Sequence, residues 1–178
     1  MVYIILGTGF EPIEAIAPCD ILRRGGVEVK LAGVGSTMIQ AAHGITVQAD
    51  CTVDEIDRDD LELIMLPGGM GGVRSMLGSQ KVLETVQFAW ENDRFVTAIC
   101  AAPTILAKLH ITDGRRAVCY PGLEDRMGSA RMQDRDTVRD DRLITGRAPG
   151  AAYEFGLALL EALKGAETAE AVRKGLVY

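Results

Sequence analysis

Phe95-Val-Thr-Ala-Ile-Cys100-Ala-Ala-Pro103 decides the reading of this chain. Five apolar or β-branched residues in a row form a strand buried on both faces, and a helical period starts immediately afterwards. Pro103 suits the first turn of that helix, where its missing N–H has no intrahelical partner to lose. Cys100 therefore stands in a sharp strand-to-helix bend, with its side chain aimed at whatever lies beyond the strand. The helix N-terminus supplies partial positive charge and free N–H groups, which favour thiolate over thiol. By position alone the residue is either an activated thiol or a small buried core cysteine.

The same alternation runs outward in both directions. Strands are expected at Val2–Leu6, Val27–Ala32 and Leu61–Leu66 before Cys100, and at Ala117–Tyr120 and Leu143–Thr145 after it. Helices are expected at Glu11–Arg24, Val73–Leu77, Lys81–Asn92, Ala101–Leu109, Gly150–Leu163 and Ala166–Lys174. His43-Gly44 between Ile39–Ala41 and Ile45–Gln48 suits a hairpin. Strands alternating with helices imply βαβ crossovers and a mainly parallel sheet covered on both faces. Ligands of such sheets bind beyond the carboxyl ends of the strands. Three turns should meet there: Gly7–Glu14, Pro67–Gly72 and Cys100–Pro103.

Each turn carries a candidate group. Gly68-Gly69 lets backbone approach a ligand and present N–H donors, or is a plain turn. Glu14 either complements the helix dipole or is a carboxyl buried beside Cys100, where burial would raise its pKa. Cys19, Cys51 and Cys119 lack the elbow setting and read as core residues.

With 178 residues, 48% of them hydrophobic, the chain suits one domain spanning 1–178. The net charge of −6 argues against nucleic-acid or anionic-membrane partners, and the acidic run Asp54–Asp60 reads as a solvated loop. No apolar run approaches a membrane span, and Met1–Leu6 lacks the basic flank and length of a secretory signal. The four cysteines have no C-x-x-C spacing, so neither a zinc site nor a disulfide framework is expected, and a reducing, cytoplasmic setting fits. No phosphate loop of the G-x-x-x-x-G-K type occurs.

Ala98-Ile99-Cys100-Ala101-Ala102-Pro103, Leu66-Pro67-Gly68-Gly69 and Glu11-Pro12-Ile13-Glu14 together resemble the ThiJ/PfpI superfamily, in particular its parkinsonism-associated deglycase branch. The likeness continues through Asp20–Val27, Gly146-Arg147-Ala148-Pro149-Gly150 and Phe155–Leu163. It implies a flavodoxin-like α/β three-layer sandwich that forms homodimers and works without cofactor or metal. Cys100 matches the family's elbow nucleophile and Glu14 the protonated glutamate that contacts it. Gly69 and Ala101, with Gly68, match backbone donors to the sulfur or a substrate oxygen. Arg24 and His43 match positions near a partner subunit's site, although relatives carry arginine where His43 stands. Tyr120 replaces a histidine of several relatives. With only His43 and His110 in the chain, a Cys–His couple is unsupported and a peptidase is disfavoured. The implied activity is that of a glyoxalase or deglycase on methylglyoxal, glyoxal or their adducts. The alternative is a redox sensor or chaperone in which the same cysteine is oxidised.

Overall fold

The computed structural model describes residues 1–177. It opens with strand β1 (Val2–Leu6), helix α1 (Pro12–Arg24) and strand β2 (Val29–Gly33). A small hairpin follows, β3 (Met38–Gln40) and β4 (Thr46–Gln48), then the short strand β5 (Cys51–Thr52). Next come β6 (Leu63–Leu66), α2 (Met70–Leu77), α3 (Gln80–Glu91), β7 (Phe95–Ile99) and α4 (Pro103–Lys108). The chain continues through β8 (Arg116–Ala117), β9 (Arg131–Met132), β10 (Thr137–Asp140) and β11 (Leu143–Gly146). It closes with α5 (Ala152–Lys164) and α6 (Ala166–Gly175).

Seven strands form one sheet in the order β10-β11-β7-β6-β1-β2-β5. Every neighbour pair is parallel except β10 with β11. The three central strands are fully buried along β1 and β6 and nearly so along β7, as their unbroken apolar runs require. Each completely buried Ile or Leu contributes about 1.5–3 kcal/mol, so Ile4, Ile5, Leu6, Ile64 and Leu66 make this strip the main anchor of the fold. The one polar side chain inside β7, Thr97, gives its hydroxyl proton to the Ile64 carbonyl at 3.0 Å. Helices flank the sheet: α1 packs on α5 and α5 on α6, while α2 packs on α3 against β1, β6 and β7.

Register brings the carboxyl ends together. Ile4 stands opposite Met65, Leu66 opposite Ala98, and Ile99 opposite Gly146. The turns after β1, β6, β7 and β11 thus open on the same rim, where α/β sheets place their ligands.

Several expected elements move. Ala117–Tyr120 is not a strand of the main sheet: only Arg116–Ala117 is extended, and it pairs with β9 in a separate ribbon. Cys119 and Tyr120 instead lie in the turn that follows. The antiparallel edge strand β10, in the Asp- and Arg-rich stretch, has only Val138 fully buried and so lacks an apolar signature. The helix after Cys100 begins at Pro103, two residues late, because Ala101 and Ala102 are spent on the bend.

Candidate active site

Cys100 occupies the elbow in the left-handed region, with φ 66°. A non-glycine residue held there costs on the order of 1–3 kcal/mol and persists only where its surroundings fix it. Three hydrogen bonds do so. The Cys100 N–H donates to the Gly146 carbonyl at 2.9 Å, the Tyr120 N–H donates to the Cys100 carbonyl at 2.7 Å, and the Ala102 N–H donates to Ile99 at 3.1 Å. The strain turns the thiol away from the strand axis, leaving the residue 8% exposed at the rim. The Gly69 and Ala101 N–H groups face its sulfur closely enough to favour the thiolate.

Glu14 reaches the same point from the first turn of α1. It is completely buried. One carboxyl oxygen, Oε2, accepts the Gly68 N–H at 2.7 Å. The other, Oε1, is sealed from solvent and makes no hydrogen bond of ordinary geometry; the group facing the carboxyl is the Cys100 thiol. Burial lifts the Glu14 pKa from 4.5 to about 7, opposed by the contacts with Cys100 and Gly68 and helped by the charge of Glu11. Burial likewise pushes the Cys100 thiol up to about 12, with the Glu14 charge adding to it and the Gly69 and Ala101 N–H groups working against it.

Burial, with the Glu14 charge, therefore outweighs the Gly69 and Ala101 N–H groups at the thiol. The two groups titrate as a pair. When Glu14 holds a proton its charge no longer opposes a thiolate, and the carboxyl can donate to sulfur. In that state the two backbone N–H groups and the acid all favour negative charge on Sγ.

The glycines make this approach geometrically possible. A Cβ on Gly68 would stand 2.6 Å from Glu14 Oε2 and 2.8 Å from Cys100 Cβ. Gly69 has φ 77°, and a Cβ there would meet the Gly9 carbonyl oxygen at 2.6 Å and Glu11 N at 2.7 Å. Gly68 was expected as a donor to sulfur or oxyanion; its N–H is instead committed to Glu14, and Gly69 and Ala101 face the thiol.

The remaining candidates lie further out. The Tyr120 N–H bonds the Cys100 carbonyl, and its side chain is largely exposed. His43 sits between β3 and β4 with φ 62°, its Nε2 3.5 Å from Glu11 Oε2. The hairpin is tied to the site by the Ala42 N–H, which donates to the Phe10 carbonyl at 2.8 Å. Arg24 is not at this site: it pairs with Asp20 on the surface of α1. Glu11 was missed as a contributor, although the Glu-x-x-Glu spacing puts both carboxyls on neighbouring turns of one helix start. Cys19, Cys51 and Cys119 are buried, and burial raises each thiol, Cys119 to about 11. His110 is on the surface, paired with Asp113 at 3.0 Å.

The profile of the DJ-1/PfpI family matches residues 1–162. This chain belongs to the DJ-1/PfpI family. Among DJ-1/PfpI relatives, the protein dj-1beta of Drosophila melanogaster is 34% identical over 177 residues, covering 98% of this chain and 95% of its own. Its crystal structure superposes with a TM-score of 0.94 over 99% of this chain and 96% of that one. The glutathione-independent glyoxalase DJR-1.2 of Caenorhabditis elegans is 32% identical over 169 residues, 93% of this chain and 89% of the relative. A structure of Toxoplasma gondii DJ-1 described as oxidized matches at 28% identity and TM-score 0.94, covering 99% and 97% of the two chains.

No helix among the described residues is long and apolar enough to cross a membrane.

Proposed function

We propose that this protein is a cofactor-independent glyoxalase- or deglycase-like enzyme acting on methylglyoxal, glyoxal or their early adducts. The observation that carries the reading is the Glu14 carboxyl, fully buried against the Cys100 thiol with its pKa raised to about 7. A carboxyl so poised gives and takes a proton at neutral pH. The glyoxalase name of the Caenorhabditis elegans relative supports the same chemistry.

In this mechanism the Cys100 sulfur attacks the aldehyde carbon of methylglyoxal. The carbonyl π pair moves onto oxygen, which takes a proton, and a hemithioacetal forms. Glu14, now carboxylate, removes the hydrogen on that carbon to give an enediol, and returns a proton to the neighbouring carbon. The former aldehyde carbon is oxidised to a thioester as the ketone carbon is reduced to an alcohol, so no external oxidant is needed. Water then cleaves the thioester, releasing lactate and restoring the thiol. The Gly69 and Ala101 N–H groups face the sulfur, where they can support charge on the adjoining oxygen. Such donors are worth about 2.7–4 kcal/mol each where well aimed.

The test is lactate formation from methylglyoxal without glutathione. Wild-type turnover that disappears in Cys100→Ala supports the reading, and full activity in that variant refutes it. The rival role is oxidation sensing at the same thiol. It is favoured by the donors around Sγ and by the relative whose structure is described as oxidized; oxidation without any carbonyl turnover would establish it instead.

A second copy completes the proposal. Ile13 and Ile16 on α1 and Met38 and Ile45 around the hairpin are exposed apolar side chains on the elements that carry Glu14 and His43. A homodimer through them would bring a second Arg24 to the neighbourhood, and light scattering in solution decides it.

A further inference from the structure

Away from the elbow, the edge strand β10 carries an unexplained group. The Thr137 hydroxyl is shut off from solvent and has no hydrogen-bond partner among the described residues. A sealed, unpaired hydroxyl is uncommon in folded proteins. Other atoms of Thr137 help line a cavity of about 340 Å³, together with Arg116, Gln133, Arg135, Val138 and Arg139, while the hydroxyl itself stays closed off from it. Three guanidinium groups and no carboxylate line it, in a chain whose net charge is −6.

The walls are held in place. Thr137 and Arg139 are two apart on β10 and share one face; the strand itself is paired along its length with β11. Arg116 is fixed across from them: its N–H donates to Asp140 Oδ2 at 2.8 Å and its Nη2 to the Arg139 carbonyl at 3.2 Å. Arg139 spends its Nε on the Asp141 carbonyl at 3.0 Å and rests its guanidinium on the Phe95 ring. The Gln133 N–H donates to the Ala117 carbonyl and its side-chain amide to Arg131 and Met132, so its amide oxygen is uncommitted.

Charge balance leaves the cavity cationic. Asp140 is the carboxylate bonded to Arg116, and it also faces Arg115 at 3.8 Å and Arg131 at 4.0 Å. One acid thus serves three arginines. Arg135 makes no hydrogen bond or ion pair among the described residues and presents all its donors. A neighbouring cavity of about 650 Å³ shares Arg135, Thr137 and Arg139 and runs on to the Glu154–Arg173 pair between α5 and α6. Its walls mix Leu157 and Ala169 with Asp136, Glu154, Glu161 and Glu170, so the cationic end is the one at Arg135 and Arg139, which sets the size of the anion that fits.

We infer that the Arg116–Arg135–Arg139 cavity on the β10 edge is a binding site for a small phosphate-bearing anion. Guanidinium forks match the paired oxygens of a phosphoryl group. The site lies on the sheet edge two strands from Cys100, since Thr137 stands opposite Gly146, whose carbonyl accepts the Cys100 N–H, and it does not depend on the carbonyl chemistry proposed above.

Calorimetric titration of the full chain with inorganic pyrophosphate, at ionic strength held constant with sodium chloride, tests it. Saturable one-to-one binding is expected, weakened about tenfold or more by Arg135→Gln and by Arg139→Gln, since each removes charge-assisted hydrogen bonds. Arg135 has no partner to lose, so its replacement leaves the fold intact; an unchanged rate of Cys100 alkylation verifies this. Parallel arms with orthophosphate and glycerol phosphate distinguish a free phosphate from a phosphate monoester: arginine-dependent binding of either supports the site and names its source. No saturable binding by the wild type to any of the three probes, or equal binding by wild type and both arginine variants, overturns it.

Discussion

Gly68→Ala isolates the contact on which the Glu14–Cys100 pair depends. Gly68 has no positive φ to lose, so an alanine there is acceptable to the backbone and only the added methyl matters. That methyl would stand 2.6 Å from Glu14 Oε2, 2.8 Å from Cys100 Cβ and 3.0 Å from the Ile99 carbonyl oxygen. Ordinary contact distances are about 3.5–4.0 Å. Two of these neighbours are the reacting residues and the third is backbone, so relief must come from moving the carboxyl or the elbow by roughly 0.5–1 Å. A displacement of about 1 Å at a reacting centre costs on the order of 100-fold in rate, and overpacking costs about 1–3 kcal/mol. Turnover of methylglyoxal and urea denaturation should be measured on the same preparation. The expected result is a kcat loss of about two orders of magnitude with the protein still folded. A variant with wild-type kcat and wild-type stability would show that the close packing of Gly68, Glu14 and Cys100 is not what sets the chemistry.

Glu14→Gln should reduce kcat by about 10²–10⁴, the usual worth of a positioned acid–base group, while Cys19→Ala and Cys51→Ala leave it nearly unchanged. The same Glu14→Gln change tests stability against pH. The carboxyl pKa is raised on folding from 4.5 to about 7, so its contribution is fully present below pH 4.5 and is lost as the pH rises through 7. The fall is about 3 kcal/mol by linkage; denaturation midpoints from pH 4 to 8 should show it in wild type and not in Glu14→Gln, and equal profiles would contradict a raised Glu14. Mild peroxide should add about 32 Da, two oxygens, chiefly to the Cys100 peptide, because Gly69, Ala101 and protonated Glu14 can hold both oxygens. Uniform oxidation of all four cysteines would mark Cys100 as an ordinary core thiol.

The central strands and the elbow were legible because their signals are local. Val2–Leu6, Leu61–Leu66 and Phe95–Ile99 are unbroken apolar runs, and a proline three residues after Cys100 marks the helix start. The position of β10 was not legible, since Thr137–Asp140 is a half-exposed edge whose partner β11 is reached through a tight turn at Asp141 with φ 59°. Nor did Ala117–Tyr120 reveal that it leaves the sheet. Its apolar side chains pack instead against Ala107 and Met127 in a small second cluster. At the site, residue identities pointed to Glu14, Gly69 and Ala101, but the use of the Gly68 N–H depended on a distance that only the folded backbone supplies. The contribution of Glu11 depended likewise on how deeply Glu14 is buried. The balance between burial and N–H donors at the thiol is also a tertiary property, since Glu14 reaches full burial against Cys100 only when α1 docks on the rim.

The most direct test of the central claim, that Cys100 attacks and Glu14 moves the proton, is intact mass measured after rapid mixing of Glu14→Gln with methylglyoxal. The account predicts an adduct of about 72 Da, one substrate molecule held as a hemithioacetal, that maps to Cys100 and accumulates while lactate does not form. Wild type should show little adduct and steady lactate. Lactate production by Glu14→Gln at the wild-type rate, or an adduct that maps to another residue, would contradict it.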